Sequence, residues 1–226
     1  MGSPDTLIEA LVPVSVASQV FGRIALGAGA AGLLLLVALH FAKPELSPSW
    51  HMVSEYAIGS HGWLMTACFA ALAISSLSLL LALLPHTASL LGWIGLAFLL
   101  ATAAGYTLAA VFPTDPISVS PESASAAARL HAMAFAIGVP SFILASQLIS
   151  FALIGDSRWD GVRLSAYSLA HLNWIALGAM VAIIATMLPK AGGFGPDVLI
   201  GWPNRLMFVT YFGWLMATAW PLARPT

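Results

Sequence analysis

Residues 62–84 read GWLMTACFAALAISSLSLLLALL and contain no charged side chain. A helix needs about 20 largely apolar residues to cross the hydrocarbon core of a bilayer, so this run is long enough to span one. Barrel strands are excluded because they alternate apolar and polar residues over about ten positions. In lipid the backbone must satisfy its own hydrogen bonds, which favours a transmembrane helix that ends at Pro85.

Five further runs share these features. The six predicted spans cover residues 21–42, 62–84, 90–112, 126–154, 164–188 and 206–222. Proline stands at the end of four of them, as Pro44, Pro85, Pro113 and Pro189. The predicted fold is all-α, a polytopic integral membrane bundle of six transmembrane helices within residues 21–226. Residues 1–20 form a predicted N-terminal interfacial segment.

The composition supports a membrane protein and excludes other classes. Hydrophobic residues make up 60% of the chain and charged residues 8%, whereas soluble domains carry about 25% charged residues. Lys and Arg number 8 against 9 Asp and Glu, so no basic surface and no nucleic-acid partner is expected. Cys68 is the one cysteine, which excludes an intrachain disulfide framework, a cysteine-rich zinc site and an iron–sulfur cluster.

Six spans place both ends of the chain on one face of the membrane, called side A here; the opposite face is side B. The positive-inside rule counts only Lys and Arg, and these are evenly divided between the two sides. The short loops of side A therefore decide the prediction. We expect side A and both termini in the cytoplasm, side B facing outward, and the protein in the inner (plasma) membrane.

The side chains able to do chemistry collect on side B. Six of them flank or open predicted spans there: Glu55, His61, Asp115, Arg129, His131 and Arg205. An ionisable residue within a span is costly and usually faces the interior of the bundle. We expect all of these except His61 to bind a ligand in one outward-facing polar vestibule.

Two segments on side B leave alternatives open. His51 and Glu55 are four residues apart, so a short interfacial helix over residues 48–59 would place them on one face. There Glu55 either orients the histidine or is simply solvated. Asp115 lies between two prolines and either closes a turn or contacts His131 or Arg129.

The start of the last span offers a similar choice. Asn204 is a candidate N-cap. Arg205 beside it opposes the helix dipole, which predicts a partner such as Asp115, Glu55 or an anionic headgroup. The alternative is an arginine that anchors the helix at the interface.

Four short motifs occur in a fixed order on side B. They are Ser54-Glu55-Tyr56, Phe112-Pro113-Thr114-Asp115, Leu130-His131 and Gly201-Trp202-Pro203-Asn204-Arg205. In this order the chain resembles the DUF998 family, six-helix membrane proteins of bacteria and archaea. The resemblance covers residues 21–222 and implies a fold and a membrane location rather than a reaction. It points to five positions: Ser54, Glu55, Asp115, His131 and Arg205. Asn204 departs from the acidic residue or Gln more usual in the family.

Three hypotheses for function follow. The first is a non-catalytic binding or accessory subunit whose partners are membrane lipids, an amphiphile, a pigment or a larger membrane complex. The second is a hydrolase acting on a lipid, with a divalent metal held by Glu55, His61, Asp115 and His131. The third is a b-type haem protein with His61 and His131 as axial ligands. Motifs of serine hydrolases, zincins, P-loop proteins and dinucleotide-binding proteins are absent from the sequence.

Overall fold

A computed structural model describes residues 13–224 of the protein, apart from the side chain of Pro121. Seven α-helices lie in this part of the chain. They are α1 (Val16–Ala42), α2 (Gly62–Leu83), α3 (Leu90–Val111), α4 (Ala126–Ala152), α5 (Arg163–Thr186), α6 (Leu188–Ala191) and α7 (Gly201–Ala223). All except the short α6 are long and apolar enough to span a membrane, and no strand occurs between residues 13 and 224. The predicted all-α six-span fold is therefore confirmed.

The first and last spans begin earlier than predicted. Helix α1 starts at Val16 rather than residue 21 because the Ser15 hydroxyl caps it, accepting a hydrogen bond from Ser18 N (3.1 Å). Helix α7 starts at Gly201 rather than residue 206. Pro203 lies in its first turn, where a helix needs no amide donor.

This early start also corrects the predicted N-cap of α7. Ile200 stands at that position, and Asn204 lies one turn into the helix. Gly201 N donates to Ser49 O (2.9 Å), and a Cβ on Gly201 would meet Pro48 O at 2.3 Å. The loop after α1 therefore packs directly on the first turn of α7, and only glycine leaves room for it.

The six long helices form a closed ring in the order α1, α2, α3, α4, α5, α7, and α7 returns to α1. Helix α2 also touches α7 across the ring, and these two helices are the most enclosed. Helix α5 is the least enclosed and presents most of its surface outward. Helices α3 and α4 approach closely at two glycines, where a Cβ on Gly105 would lie 2.7 Å from Gly138 Cα.

The start of the first span and the end of the last span lie together, as expected for an even number of spans. Arg23 Nε donates to Ala223 O (3.0 Å), which places the start of α1 beside the end of α7 on side A. Residues 7–12, which include the apolar part of the predicted interfacial segment, lie outside the described range.

Candidate functional site

A small cavity lies between the side B ends of α2, α3, α4 and α7. The loop after α1, residues 44–61 and called the cap segment here, closes its outer end through Met52 and Ser54. The walls are mainly apolar: Met52, Phe69, Ala109, Ala134, Phe135 and Phe208. Four polar side chains interrupt them: Ser54, Tyr106, His131 and Asn204. An apolar lining interrupted by a few polar groups is the pattern of lining that small-molecule sites share.

His131 lies in the second turn of α4, which starts at a Ser125 cap. Its Nδ1 is 2.7 Å from Phe112 O, at the end of α3 where helix carbonyls lack partners. A carbonyl can only accept, so Nδ1 carries a hydrogen. The ring packs edge-on against Phe69, with 5.6 Å between centroids. The α3–α4 contact thus fixes the orientation of His131 in the cavity wall.

Tyr106 supplies a second polar group of the cavity wall. Its ring packs against Phe69 and Phe208, at centroid distances of 6.2 and 6.3 Å. The residue is 5% exposed, and its hydroxyl is buried without a hydrogen-bond partner of good geometry. The Tyr211 hydroxyl, which donates to Val139 O (3.3 Å), is the hydrogen-bonding neighbour of the Tyr106 hydroxyl, although the geometry between the two is poor. Tyr106 is therefore only weakly satisfied by the protein.

Asn204 joins the cavity to the cap segment. Its Oδ1 accepts a hydrogen bond from Val53 N (2.7 Å), which is the first residue of the short 3₁₀ helix Val53–Ala57. Its amide nitrogen and the Ser54 hydroxyl make no hydrogen bond within residues 13–224. Both groups line the cavity and keep their hydrogen-bonding capacity.

Arg205 lies next to the cavity but is not part of its lining. It is 7% exposed. Its guanidinium donates to His40 Nε2 (2.8 Å), His51 O (2.7 Å), Gly201 O (3.1 Å) and the Tyr56 hydroxyl (3.0 Å). The partners predicted from sequence, Asp115, Glu55 or an anionic headgroup, are thus replaced by four neutral acceptors. Arg205 therefore binds the cap segment to α1 and α7.

Glu55 and Lys43 hold the two ends of the 3₁₀ helix. Glu55, which is 3% exposed, accepts hydrogen bonds from Met52 N (2.7 Å) and Ile117 N (3.0 Å). Lys43 Nζ donates to Tyr56 O (3.4 Å) and to Ile58 O. An anion at the start and a cation at the end complement the helix dipole. Both carboxylate oxygens of Glu55 are occupied by backbone amides rather than facing a ligand.

The predicted helix over residues 48–59 is limited to Val53–Ala57. His51 precedes it, donates from Nδ1 to Ser47 O (3.3 Å) and stacks on Trp50. His51 and Glu55 therefore do not share a helical face.

The other predicted site residues lie apart from the cavity. Asp115 accepts hydrogen bonds from Ser125 N (2.7 Å) and the Ser125 hydroxyl (3.0 Å), not from His131 or Arg129. Exposed Arg129 donates to Ala124 O (2.7 Å). His61 is exposed at the start of α2, where its φ of 60° is left-handed. Loop backbone beside an apolar bundle must find hydrogen-bond partners, and the side chains of Asp115 and Arg129 are used locally for that purpose.

Of the residues predicted to share a polar vestibule, the structure brings only His131 to the cavity. The proposed metal ligands Glu55, His61, Asp115 and His131 do not come together, and no group of three His, Cys, Asp or Glu between residues 13 and 224 could hold an ion. The two proposed haem ligands also lie in different environments. His131 is buried in the cavity wall, whereas His61 is exposed and does not line the cavity.

Two polar groups of the cavity were not predicted from the sequence. Tyr106 was not considered, and Asn204 was considered only as an N-cap, not as part of a cavity wall. A tyrosine six residues from the end of an apolar span is a signal, because a buried tyrosine hydroxyl needs a partner. Ser54 was indicated only through the family resemblance.

The comparisons with known proteins agree with this architecture. No curated protein and no solved structure among those compared matches the chain. One family model, described as a protein of unknown function (DUF998), matches residues 25–221. Because this match covers all six membrane-spanning helices, wholly or for most of their length, the chain belongs to the DUF998 family.

Proposed function

We propose that this multi-pass membrane protein is a non-catalytic binding protein that holds one amphiphilic, lipid-like molecule in the side B cavity. The observation that carries the proposal is the cavity itself, whose mainly apolar wall carries four polar side chains, Ser54, Tyr106, His131 and Asn204. Apolar walls suit a hydrocarbon tail, and the four polar side chains suit a head group.

The location of the cavity supports a ligand drawn from the membrane. His131 and Asn204 lie within about two helical turns of the side B ends of their helices. Phe135 lines the cavity and is 40% exposed on α4, so the cavity reaches the outer surface of the bundle. An amphiphile in a bilayer places its head near this depth and its tail toward the midplane.

Native mass spectrometry of the purified full-length protein in mild detergent tests the proposal. We expect a co-purified small amphiphile on the wild type. Ala109→Phe fills the cavity wall and should remove it, whereas Ala104→Phe, on an exposed position of the same helix, should retain it. A wild type without bound amphiphile, or an Ala109→Phe variant that keeps it, contradicts the proposal. Docking into a larger membrane complex, the other sequence-based expectation, stays a prediction that the same spectra can test.

We also propose that side A faces the cytoplasm of the inner (plasma) membrane. The side A loops cover residues 84–89 and 153–162, and they are shorter than the side B loops at residues 43–61, 112–125 and 187–200. Ser120→Cys should react with a membrane-impermeant maleimide in intact cells, whereas Gly155→Cys should react only after permeabilisation. The reverse pattern contradicts the orientation.

A further inference from the structure

We infer that the protein forms a two-fold symmetric dimer in the membrane through the outward face of α5, with Ser168 and His171 at the centre of the contact. The inference names a second copy of this chain as the partner of that face. None of the residues that line the side B cavity lies on α5, so the inference is independent of the proposed function.

Helix α5 is the span least covered by the rest of the described chain. On its outward face four exposed residues follow one another at intervals of four, three and four: Leu164, Ser168, His171 and Ile175. Residues at this spacing share one side of a helix and form the contact line of two helices packed in parallel. The two polar members of the line are therefore flanked by a large apolar side chain at either end.

His171 lies about 12 Å along α5 from Arg163, the charged residue at the start of the helix. An ionisable side chain inside a span is costly when it faces lipid, and such side chains usually face protein. Within residues 13–224 the hydrogen bond and the ring contact of His171 are both with Tyr167, one turn earlier on the same helix. The face that carries His171 therefore has the chemistry of a protein contact but receives no hydrogen bond from another helix of the chain.

Both polar side chains keep a hydrogen-bonding capacity that hydrocarbon does not satisfy. Nδ1 of His171 carries a hydrogen, because it donates to Tyr167 O (2.8 Å). Nε2 of His171 and the hydroxyl of Ser168 have no hydrogen-bond partner in the described part of the chain. Thr107, an exposed residue of α3, shows the contrast, because its hydroxyl donates to Ala103 O (2.8 Å) of its own helix.

Two copies of the chain satisfy these groups in each other. A two-fold axis along the membrane normal beside α5 sets His171 of each copy against Ser168 of the other. A side chain on a helix leans toward the start of that helix, so the imidazole reaches back to the level of residue 168. A hydroxyl both donates and accepts, and it therefore pairs with Nε2 in either protonation state of the ring. This contact is self-complementary, whereas the hydrocarbon tails of lipids offer no hydrogen-bonding group at all.

Disulfide cross-linking of the full-length protein in native membranes tests the dimer. Ser168→Cys places two equal thiols beside the axis, so mild oxidation should join the chains into a species of twice the monomer mass. Val20→Cys is the matched control and should stay monomeric, because Val20 is exposed on α1 and lies four residues after Val16, as Ser168 lies five residues after Arg163. Cys68 is fully buried and should form no cross-link in the wild type.

The strength of the association tests the hydrogen bonds. Native mass spectrometry in mild detergent should show the wild type as a dimer. His171→Leu and Ser168→Ala each remove both symmetry-related hydrogen bonds, and each should raise the dissociation constant of the dimer at least about eightfold. Thr107→Val should leave the dissociation constant unchanged, because the Thr107 hydroxyl is already bonded within α3.

Cross-linking of Ser168→Cys no stronger than that of Val20→Cys, or a cross-linked species of another mass, overturns the inference. A wild type that is monomeric in mild detergent overturns it as well, as do equal dissociation constants for His171→Leu and Thr107→Val. The wild-type mass and the Ser168→Cys cross-link decide the matter even where His171→Leu does not fold.

Discussion

Arg205 on α7 donates a hydrogen bond from Nε to Nε2 of His40 on α1, over 2.8 Å. Because Nε2 accepts here, the hydrogen of the imidazole lies on Nδ1, which is 2.7 Å from Leu36 O in the preceding turn. His40 is therefore a neutral link between α1 and a buried guanidinium. The pair joins the first and last spans on side B, as Arg23 and Ala223 O do on side A.

Replacing Arg205 by Met should destabilise the protein by at least about 3 kcal/mol, because several buried acceptors lose a charged donor. Arg129→Met, at an exposed position with one bond to Ala124 O, should change stability by less than about 0.5 kcal/mol. The measurement is a denaturant titration in detergent, read by labelling of Cys68, which is the one cysteine and is fully buried. Equal effects of the two substitutions would contradict the role given to Arg205.

Glu55→Gln should loosen the cap segment. The amide can accept only one of the two hydrogen bonds that the carboxylate accepts from Met52 N and Ile117 N. We expect a loss of about 1–3 kcal/mol and faster hydrogen exchange at one or both of these amides. Glu45→Gln, at an exposed position, is the control and should leave both exchange rates unchanged.

Gly201→Ala should be poorly tolerated, because the new Cβ would meet Pro48 O at 2.3 Å and both groups are backbone-anchored. The expected cost is about 1–3 kcal/mol or more, from displacement of the loop or of the first turn of α7. Gly178→Ala is the matched control in a helix, since a Cβ there meets nothing within 4 Å. In thermal unfolding, Gly201→Ala should lower the apparent Tm, whereas Gly178→Ala should leave it unchanged or raise it.

Asp156, in the side A loop, should make unfolding sensitive to acid. Burial raises the pKa of this carboxyl, but its hydrogen bonds and ion pair with Arg158 lower it more, so the pKa lies below its usual 3.8. A lowered pKa in the folded state stabilises the protein above the unfolded-state value, and this stabilisation is lost as pH falls through the folded-state pKa.

The apparent Tm of the wild type should therefore fall more steeply than that of Asp156→Asn as pH is lowered from neutral to about pH 3. Asp197→Asn, at an exposed position without an ion pair within residues 13–224, should retain the wild-type pH dependence. Parallel curves of Tm against pH for the wild type and Asp156→Asn would show that the Asp156–Arg158 pair does not contribute to the acid sensitivity.

The cap segment shows why part of the site escaped prediction. Glu55 looks, in sequence, like a ligand for a substrate or ion, since buried charges often serve function. In the structure the partners of Glu55 are backbone amides, among them Ile117 N, which lies 62 residues away, and the partners of Lys43 are backbone carbonyls. A sequence does not show which backbone amides and carbonyls a loop leaves without partners, because that depends on how distant loops pack together.

The sequence by itself determined the six membrane-spanning helices, because the length and hydrophobicity of each run are local properties and lipid requires the backbone to bond internally. It also placed His131 near the side B surface. Only the tertiary structure decided that His131 shares a cavity with Tyr106 and Asn204, and that the nearby charged side chains serve the loops instead. Those relationships depend on the order in which the helices pack around the ring. Contacts between residues far apart in the chain determine that order together.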